Sequence, residues 1–133
     1  MKKLFYCLLV ALGFSLLATS CDKDGDSGDK SLVGEWRLYK DYEEGYGYEY
    51  YDEDDDFQYY VTFKSNGTFE IIEIDGRYEE VMSGTYTLNG DRLKVKAYGE
   101  TAYVEVVSLT SDELVLDWTD EDGIYIEYYE RIK

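Results

Sequence analysis

Histidine is absent from this chain, and only two of its 133 residues are cysteine. Cys7 lies in an N-terminal segment that we expect to be removed, so Cys21 would be the one remaining thiol. These absences exclude zinc sites built from His and Cys, Ser-His-Asp triads and Cys-His nucleophiles. Carboxylates are abundant, but no pattern marks one of them as buried or as half of an acid–base pair. We predict that the protein is not an enzyme and has no metal site and no cofactor.

Positive charge is scarce as well. Thirteen Lys and Arg residues face 30 Asp and Glu residues, for a formal net charge of −17. Such a chain repels the phosphates of nucleic acids and anionic membrane surfaces. Nucleic acid is therefore excluded as a partner, whereas a basic protein partner stays compatible with the charge.

A long apolar run is also missing. The longest one, residues 4–18 after Lys2 and Lys3, would span roughly 22 Å as a helix, against the roughly 30 Å of a bilayer core. A positive start, a short apolar stretch and small residues at its end are typical of a secretory signal peptide. We predict a lipoprotein-type signal peptide over residues 1–20, cut just before Cys21.

Cys21 stands at the boundary between this apolar segment and an acidic one. Residues 17–21, Leu-Ala-Thr-Ser-Cys, resemble a bacterial lipobox, in which the cysteine becomes the lipid-modified N-terminus. The resemblance implies that Cys21 carries palmitate-type acyl chains and anchors the protein to a membrane. We expect residues 21–31 to form a flexible acidic linker, because residues 22–31 include no aromatic or aliphatic side chain that could be buried. We expect a cell-envelope location at the outer membrane, either periplasmic or surface-exposed.

The rest of the chain, residues 32–133, has the period-two alternation of β-strands, and turn residues such as Asn66-Gly67 interrupt it every 8 to 12 positions. Short connections favour antiparallel pairing of consecutive strands, and eight such strands can close into a ring without edges. We predict an all-β domain, an eight-stranded antiparallel up-and-down β-barrel. A two-sheet β-sandwich is the alternative. The predicted strands cover residues 32–40, 57–64, 68–74, 79–88, 92–98, 100–109, 113–119 and 124–132.

Several short stretches carry a family resemblance. Leu32-Val33-Gly34-Glu35-Trp36 resembles the Gly-x-Trp opening of lipocalin-like (calycin) domains, and residues 63–69, 84–91 and 109–114 resemble stretches of small lipocalin-like lipoproteins of the Bacteroidota type. The resemblance implies a structural barrel closure by Gly34, Trp36 and Arg131, with the arginine packed over the tryptophan. Such a contact contributes about 0.5 to 2 kcal/mol.

The long connection over residues 41–56 is acidic and rich in tyrosine. The resemblance places it over the barrel mouth, where long loops are often functional. Phenols beside carboxylates can stack on a sugar or surround a cationic group. Our leading hypothesis is a lipid-anchored binding module for a small apolar or carbohydrate ligand. The alternative is an interaction protein that contacts a basic partner through its acidic, Tyr-rich surface. The candidate ligand-binding residues are Tyr46, Tyr48, Tyr50, Tyr59, Phe63 and Phe69.

Overall fold

The computed structural model describes residues 31–132 of the chain. The predicted signal peptide, Cys21 and nearly all of the predicted linker lie outside the described residues. No helix within residues 31–132 is both long and apolar enough to cross a bilayer.

The described residues form nine β-strands. One more strand is present than the sequence predicts, because part of the long connection after the first strand is itself a short strand. The strands are β1 (Gly34–Glu43), β2 (Gly47–Tyr50), β3 (Phe57–Phe63), β4 (Thr68–Asp75), β5 (Tyr78–Asn89), β6 (Arg92–Ala97), β7 (Glu100–Leu109), β8 (Glu113–Asp117) and β9 (Tyr125–Arg131).

Eight of these strands close into a barrel, which confirms the predicted fold and decides against two stacked sheets. From β3 to β9 each strand pairs antiparallel with the next one along the chain. The first strand pairs with β3 through its first half and with β9 along most of its length, and this second pairing closes the ring. The extra strand, β2, folds back on the second half of β1 as a hairpin.

Every second side chain of each barrel strand points inward, and these side chains fill the barrel interior. The core combines aromatic and aliphatic side chains from all eight barrel strands, including Trp36, Phe69, Leu93, Leu114 and Tyr129, each almost fully buried. We call the end that carries the β1–β2, β4–β5, β6–β7 and β8–β9 connections the mouth, and the opposite end the closed end.

The closed end contains the three residues that the family resemblance singles out. Gly34 begins β1 opposite Phe63 of β3. Trp36 is fully buried and donates from its indole nitrogen to the Leu32 carbonyl at 3.0 Å. The Arg131 guanidinium lies over the Trp36 ring, 4.2 Å from its centroid. The same guanidinium donates to three backbone carbonyls of two segments, so it ties the residues before β1 to the β7–β8 connection: Ser31, Val33 and Ser111.

Candidate functional site

The inner wall near the mouth carries a row of three polar or aromatic residues on adjacent strands. Tyr59 of β3 pairs with Glu73 of β4, and Glu73 pairs in turn with Glu80 of β5. The next row toward the closed end is apolar and includes Ile71 opposite Met82. The Tyr59 ring and the Glu73 and Glu80 carboxylates therefore lie next to one another on this wall, with the apolar side chains of Ile71 and Met82 below them.

A cavity opens above these two rows. Its volume is about 60 Å³, and Val81 and Tyr98 complete the lining formed by the five residues just described. Pockets for drug-sized ligands measure roughly 300 Å³ or more, whereas one buried water needs roughly 10 to 15 Å³. The mouth cavity therefore has room for a group of a few heavy atoms, or for one end of a larger molecule.

Tyr98 reaches the cavity from a strained turn. It forms the two-residue β6–β7 turn with Gly99, between the paired residues Ala97 and Glu100. Its φ is 54°, the left-handed region that glycine or asparagine occupies far more readily than an aromatic residue. Strain of this kind costs roughly 1 to 3 kcal/mol and tends to persist where the side chain has a function. Here that side chain is part of the cavity wall.

A second pair of carboxylates lies on the wall formed by β1 and β9, where Asp41 pairs directly with Glu127. Asp41 is 5% exposed, and one of its oxygens accepts hydrogen bonds from the hydroxyls of Tyr51 and Tyr125, both at 3.0 Å. Burial raises the pKa of Asp41, and the two tyrosine hydrogen bonds oppose that rise. The barrel interior therefore holds an acid that accepts two tyrosine hydroxyls at one oxygen.

Glu127 is fully buried. Its Oε1 accepts from the Trp118 indole nitrogen at 2.5 Å and from the Tyr129 hydroxyl at 2.8 Å, while its Oε2 has no hydrogen-bond partner within the described part of the chain. Burial raises the pKa of Glu127 to about 8, and the nearby Asp41 charge adds to the effect. At neutral pH this side chain is therefore mainly a neutral carboxylic acid.

A β-bulge decides which charge faces inward on β1. The pairing of β1 with β9 shifts register between Leu38 and Lys40. Continuous alternation from Trp36 and Leu38 would place Lys40 inside; the shift places Asp41 inside and Lys40 outside. The lysine lies instead on the outer wall over four tyrosine rings, with its Nζ 4.2 Å from the centroid of the Tyr128 ring.

The six aromatic residues predicted to bind a ligand fall into two groups that the fold does not bring together. Tyr46, Tyr48 and Tyr50 belong to the β1–β2 hairpin on the outside of the barrel, where each is more than half exposed. Tyr48 packs there against Tyr42, with 5.0 Å between ring centroids.

The other three are buried inside the barrel, but at different heights. Phe63 and Phe69 pack together at the closed end, with 6.3 Å between ring centroids. Of the six, only Tyr59 lines the mouth cavity.

The acidic connection between β2 and β3 is held by side chains beneath it. Gln58 donates from its amide nitrogen to three backbone carbonyls of this loop, at 2.8 to 3.2 Å: Asp52, Glu53 and Asp55. The buried Arg37 donates to the Tyr51 carbonyl at 3.1 Å and forms an ion pair with Glu130 at 2.8 Å. The acids of the loop are therefore presented to solvent on a fixed backbone.

The sequence reasoning missed Glu73, Glu80, Asp41 and Glu127 as inward-facing residues. A signal was available for Glu127: if Arg131 packs over Trp36 inside the barrel, residues at two-residue spacing before it, including Glu127, share its face. The same spacing from Phe69 indicates Glu73. No signal was available for Asp41, because it depends on the bulge.

Comparison with known proteins places this geometry in a family. Residues 32–116 match the model of the lipocalin-like domain, and the chain belongs to that family. The predicted resemblance is thus confirmed. Comparison with curated proteins finds no match.

Two solved structures from Bacteroides species have similar folds. A lipocalin-like protein from Bacteroides uniformis is 18% identical, with a TM-score of 0.61; the match covers 79% of this chain and 100% of that one. An uncharacterized protein from Bacteroides eggerthii is 14% identical, with a TM-score of 0.59, and the match covers 77% of this chain and 100% of that one. At these identities the likeness concerns the fold. A lipocalin-like barrel suggests a small-ligand binding module.

Proposed function

We propose that this protein is a lipid-anchored binding module of the bacterial cell envelope that takes a small ligand into the mouth cavity. The observation that carries the proposal is the cavity itself, about 60 Å³ at the open end of a closed lipocalin-like barrel. Its lining combines apolar, aromatic and charged side chains, the mixture that small-molecule sites use for affinity and orientation. The strained turn at Tyr98 supports the same site.

The ligand-binding part is tested by a fragment screen on the purified full-length chain in a non-ionic detergent, observed by ¹⁵N–¹H NMR. Fragments of up to about eight heavy atoms should shift the amide signals of Tyr59, Ile71 and Met82 in a saturable way. Tyr98→Asn should weaken these fragments several-fold. Tyr103→Asn is the matched control, because Tyr103 is similarly exposed but stacks on Arg92 outside the barrel. Shifts confined to the outer surface would contradict the proposal.

The anchor is tested separately through Cys21. Cells that express the native chain should incorporate radiolabelled palmitate into it, and a Cys21→Ala variant should lose both the label and retention in the membrane fraction. Unchanged membrane partitioning of the variant would contradict lipid anchoring at this residue.

A second candidate function is contact with a basic protein partner. It is favoured by the largely filled barrel interior and by the outer surface of the β1–β2 hairpin, where exposed tyrosines lie beside the solvent-facing acids of residues 52–56. Tyrosine is enriched in protein interfaces, and an acidic surface speeds association with a basic one. A Tyr48→Ser, Tyr50→Ser double variant would weaken such a contact and leave ligand binding in the mouth cavity unchanged.

A further inference from the structure

A groove, which we call the outer groove, lies on the outside of the barrel over β6, β7 and β8. Its volume is about 180 Å³, compared with about 60 Å³ for the mouth cavity. At roughly 10 to 15 Å³ for each water-sized group, this is space for about a dozen such groups. The lining is mostly polar and shares no residue with the mouth cavity: Arg92, Tyr103, Val104, Glu105, Asp117 and Thr119.

Opposite charges stand across neighbouring strands in the outer groove without joining. Glu105 of β7 pairs in register with Arg92 of β6 on one side and with Asp117 of β8 on the other. An arginine and a glutamate directly opposite on adjacent strands normally form a favourable pair. Within residues 31–132, however, no ion pair or hydrogen bond joins the Arg92 guanidinium to either carboxylate. The groove therefore contains a charged donor and two charged acceptors that do not satisfy one another.

The strands hold these groups in fixed positions. Asp117 accepts at Oδ1 from the backbone nitrogen of Thr119 at 2.8 Å, which fixes the residue after β8 at the edge of the groove and leaves Oδ2 for a ligand. Both β6 and β7 are paired along both of their edges. An extended peptide therefore cannot add to this wall as a further strand, and a ligand here is recognised by side chains.

Tyr103 gives the groove an aromatic ring. The Arg92 guanidinium lies over this ring, 4.9 Å from its centroid, and Tyr103 is still 54% exposed. The CH groups of a sugar ring can pack on such a surface, since both are apolar. Sugar hydroxyls can donate to carboxylates and accept from a guanidinium, and hydrogen bonds to charged groups are the strong ones.

The charges around the groove balance, in contrast to the chain as a whole. Lys94 pairs in register with Tyr103 and adds a second positive charge to that of Arg92, opposite the two carboxylates. An anion would lie close to those carboxylates, and a cation would lie close to the guanidinium. The mixture of donors, acceptors and one ring fits an uncharged polyol best.

We propose that the outer groove binds one uncharged hexose unit of a glycan. The sugar ring packs on Tyr103, two of its hydroxyls donate to the Glu105 and Asp117 carboxylates, and a further oxygen accepts from the Arg92 guanidinium. This site goes beyond the proposed function, because it lies outside the barrel and does not depend on a ligand in the mouth cavity.

The test titrates sugars into the ¹⁵N-labelled full-length chain at pH 7, in a polyoxyethylene detergent that has no sugar head group. The probes are the methyl glycosides of glucose, galactose and mannose, and cyclohexanol serves as a six-membered ring with a single hydroxyl. At least one glycoside should bind at about millimolar concentration and shift the amide signals of Tyr103, Glu105 and Thr119 in a saturable way. Cyclohexanol should not saturate these signals, because one hydroxyl cannot serve three polar partners.

Two pairs of variants locate the binding. Glu105→Gln should weaken the glycoside about tenfold, because a neutral amide is a weaker acceptor than a carboxylate, whereas Glu79→Gln, at an exposed glutamate outside the groove, should change nothing. Tyr103→Asn should weaken the glycoside at least tenfold, and Tyr98→Asn in the mouth cavity should leave it unchanged. All four positions are exposed, so the variants should fold.

Several outcomes would overturn the inference. One is that none of the three glycosides saturates the groove signals, and another is that cyclohexanol binds there equally well. Equal effects of the Glu105 and Glu79 variants, or of the Tyr103 and Tyr98 variants, would place the binding elsewhere and overturn it as well. None of these results decides the proposed function, which is read from the amides of the mouth cavity with other probes.

Discussion

The buried carboxyl of Glu127 should make the stability of this protein fall as pH rises, and Glu127→Gln should remove that dependence. In the folded chain the pKa of Glu127 is about 8, compared with an ordinary value of 4.5. Between these pH values the folded state holds one more proton than the unfolded state, so unfolding releases a proton and a higher pH favours unfolding. The free energy of unfolding begins to fall above about pH 4.5, and the contribution of Glu127 is fully lost above about pH 8.

The size of the effect follows from the same two values. One pKa unit corresponds to 1.36 kcal/mol, so the free energy of unfolding loses up to roughly 5 kcal/mol across this range. Glutamine keeps an oxygen that can accept from Trp118 and Tyr129, and it stays neutral at every pH. The variant should therefore match the native chain near pH 4 and exceed its stability by several kcal/mol at pH 9.

Urea unfolding between pH 4 and pH 9, followed by tryptophan fluorescence, measures this difference directly. A chain with net charge −17 also repels itself more strongly as its acids ionise, which gives a background slope. Glu79→Gln supplies that background, because Glu79 is exposed. If the slope for Glu127→Gln were parallel to those of the native chain and Glu79→Gln, the reasoning about the buried carboxyl would be refuted.

Substitutions at three further positions have definite expected outcomes. Tyr98→Asn should raise the free energy of unfolding by about 1 kcal/mol, since asparagine tolerates the left-handed turn, and it should still weaken cavity binding; a destabilised variant would contradict the strain argument. Gly84→Ala should lower the free energy of unfolding by about 3 kcal/mol or prevent folding, because a Cβ there would lie 2.0 Å from the Lys96 carbonyl oxygen. A denaturant midpoint equal to the native one would contradict this, because it would show that the backbone shifts there at little cost. Arg131→Met should lower the free energy of unfolding by about 2 kcal/mol, because the hydrogen bonds to the backbone carbonyls and the contact with Trp36 are lost. Arg131→Lys should recover only part of that free energy. Full recovery by lysine would assign the effect to charge alone.

The sequence was sufficient for the barrel because alternation and turn residues act locally. The hairpin at residues 64–68 closes around Asn66-Gly67 as the turn sequence predicts: the Lys64 N–H donates to the Thr68 carbonyl, and the Gly67 N–H donates to the Lys64 carbonyl. The strand β2 was not predicted, because it has four residues, carries exposed tyrosine and acid, and has no apolar side to bury. Its conformation comes from pairing with the end of β1 rather than from its own pattern.

The candidate site was harder to predict because it depends on register. Alternation tells which side chains share a face, but only pairing with neighbouring strands tells which face is inside. The bulge in β1 exchanges Lys40 for Asp41 on the inner wall, and no local signal marks it. The tyrosines of the hairpin were predicted to lie over the barrel mouth. They lie on the outer wall because the register of β2 places Tyr48 opposite Tyr42 and Tyr50 opposite the outward-facing Lys40.

Intermolecular NOEs between a bound fragment of up to about eight heavy atoms and the side chains of the full-length protein test the central claim, a small ligand in the mouth cavity, most directly. We predict NOEs from the fragment's protons to Tyr59, Ile71 and Met82 inside the mouth. NOEs to Tyr48 and Tyr128 on the outer wall, with none to the inner three, would contradict the account.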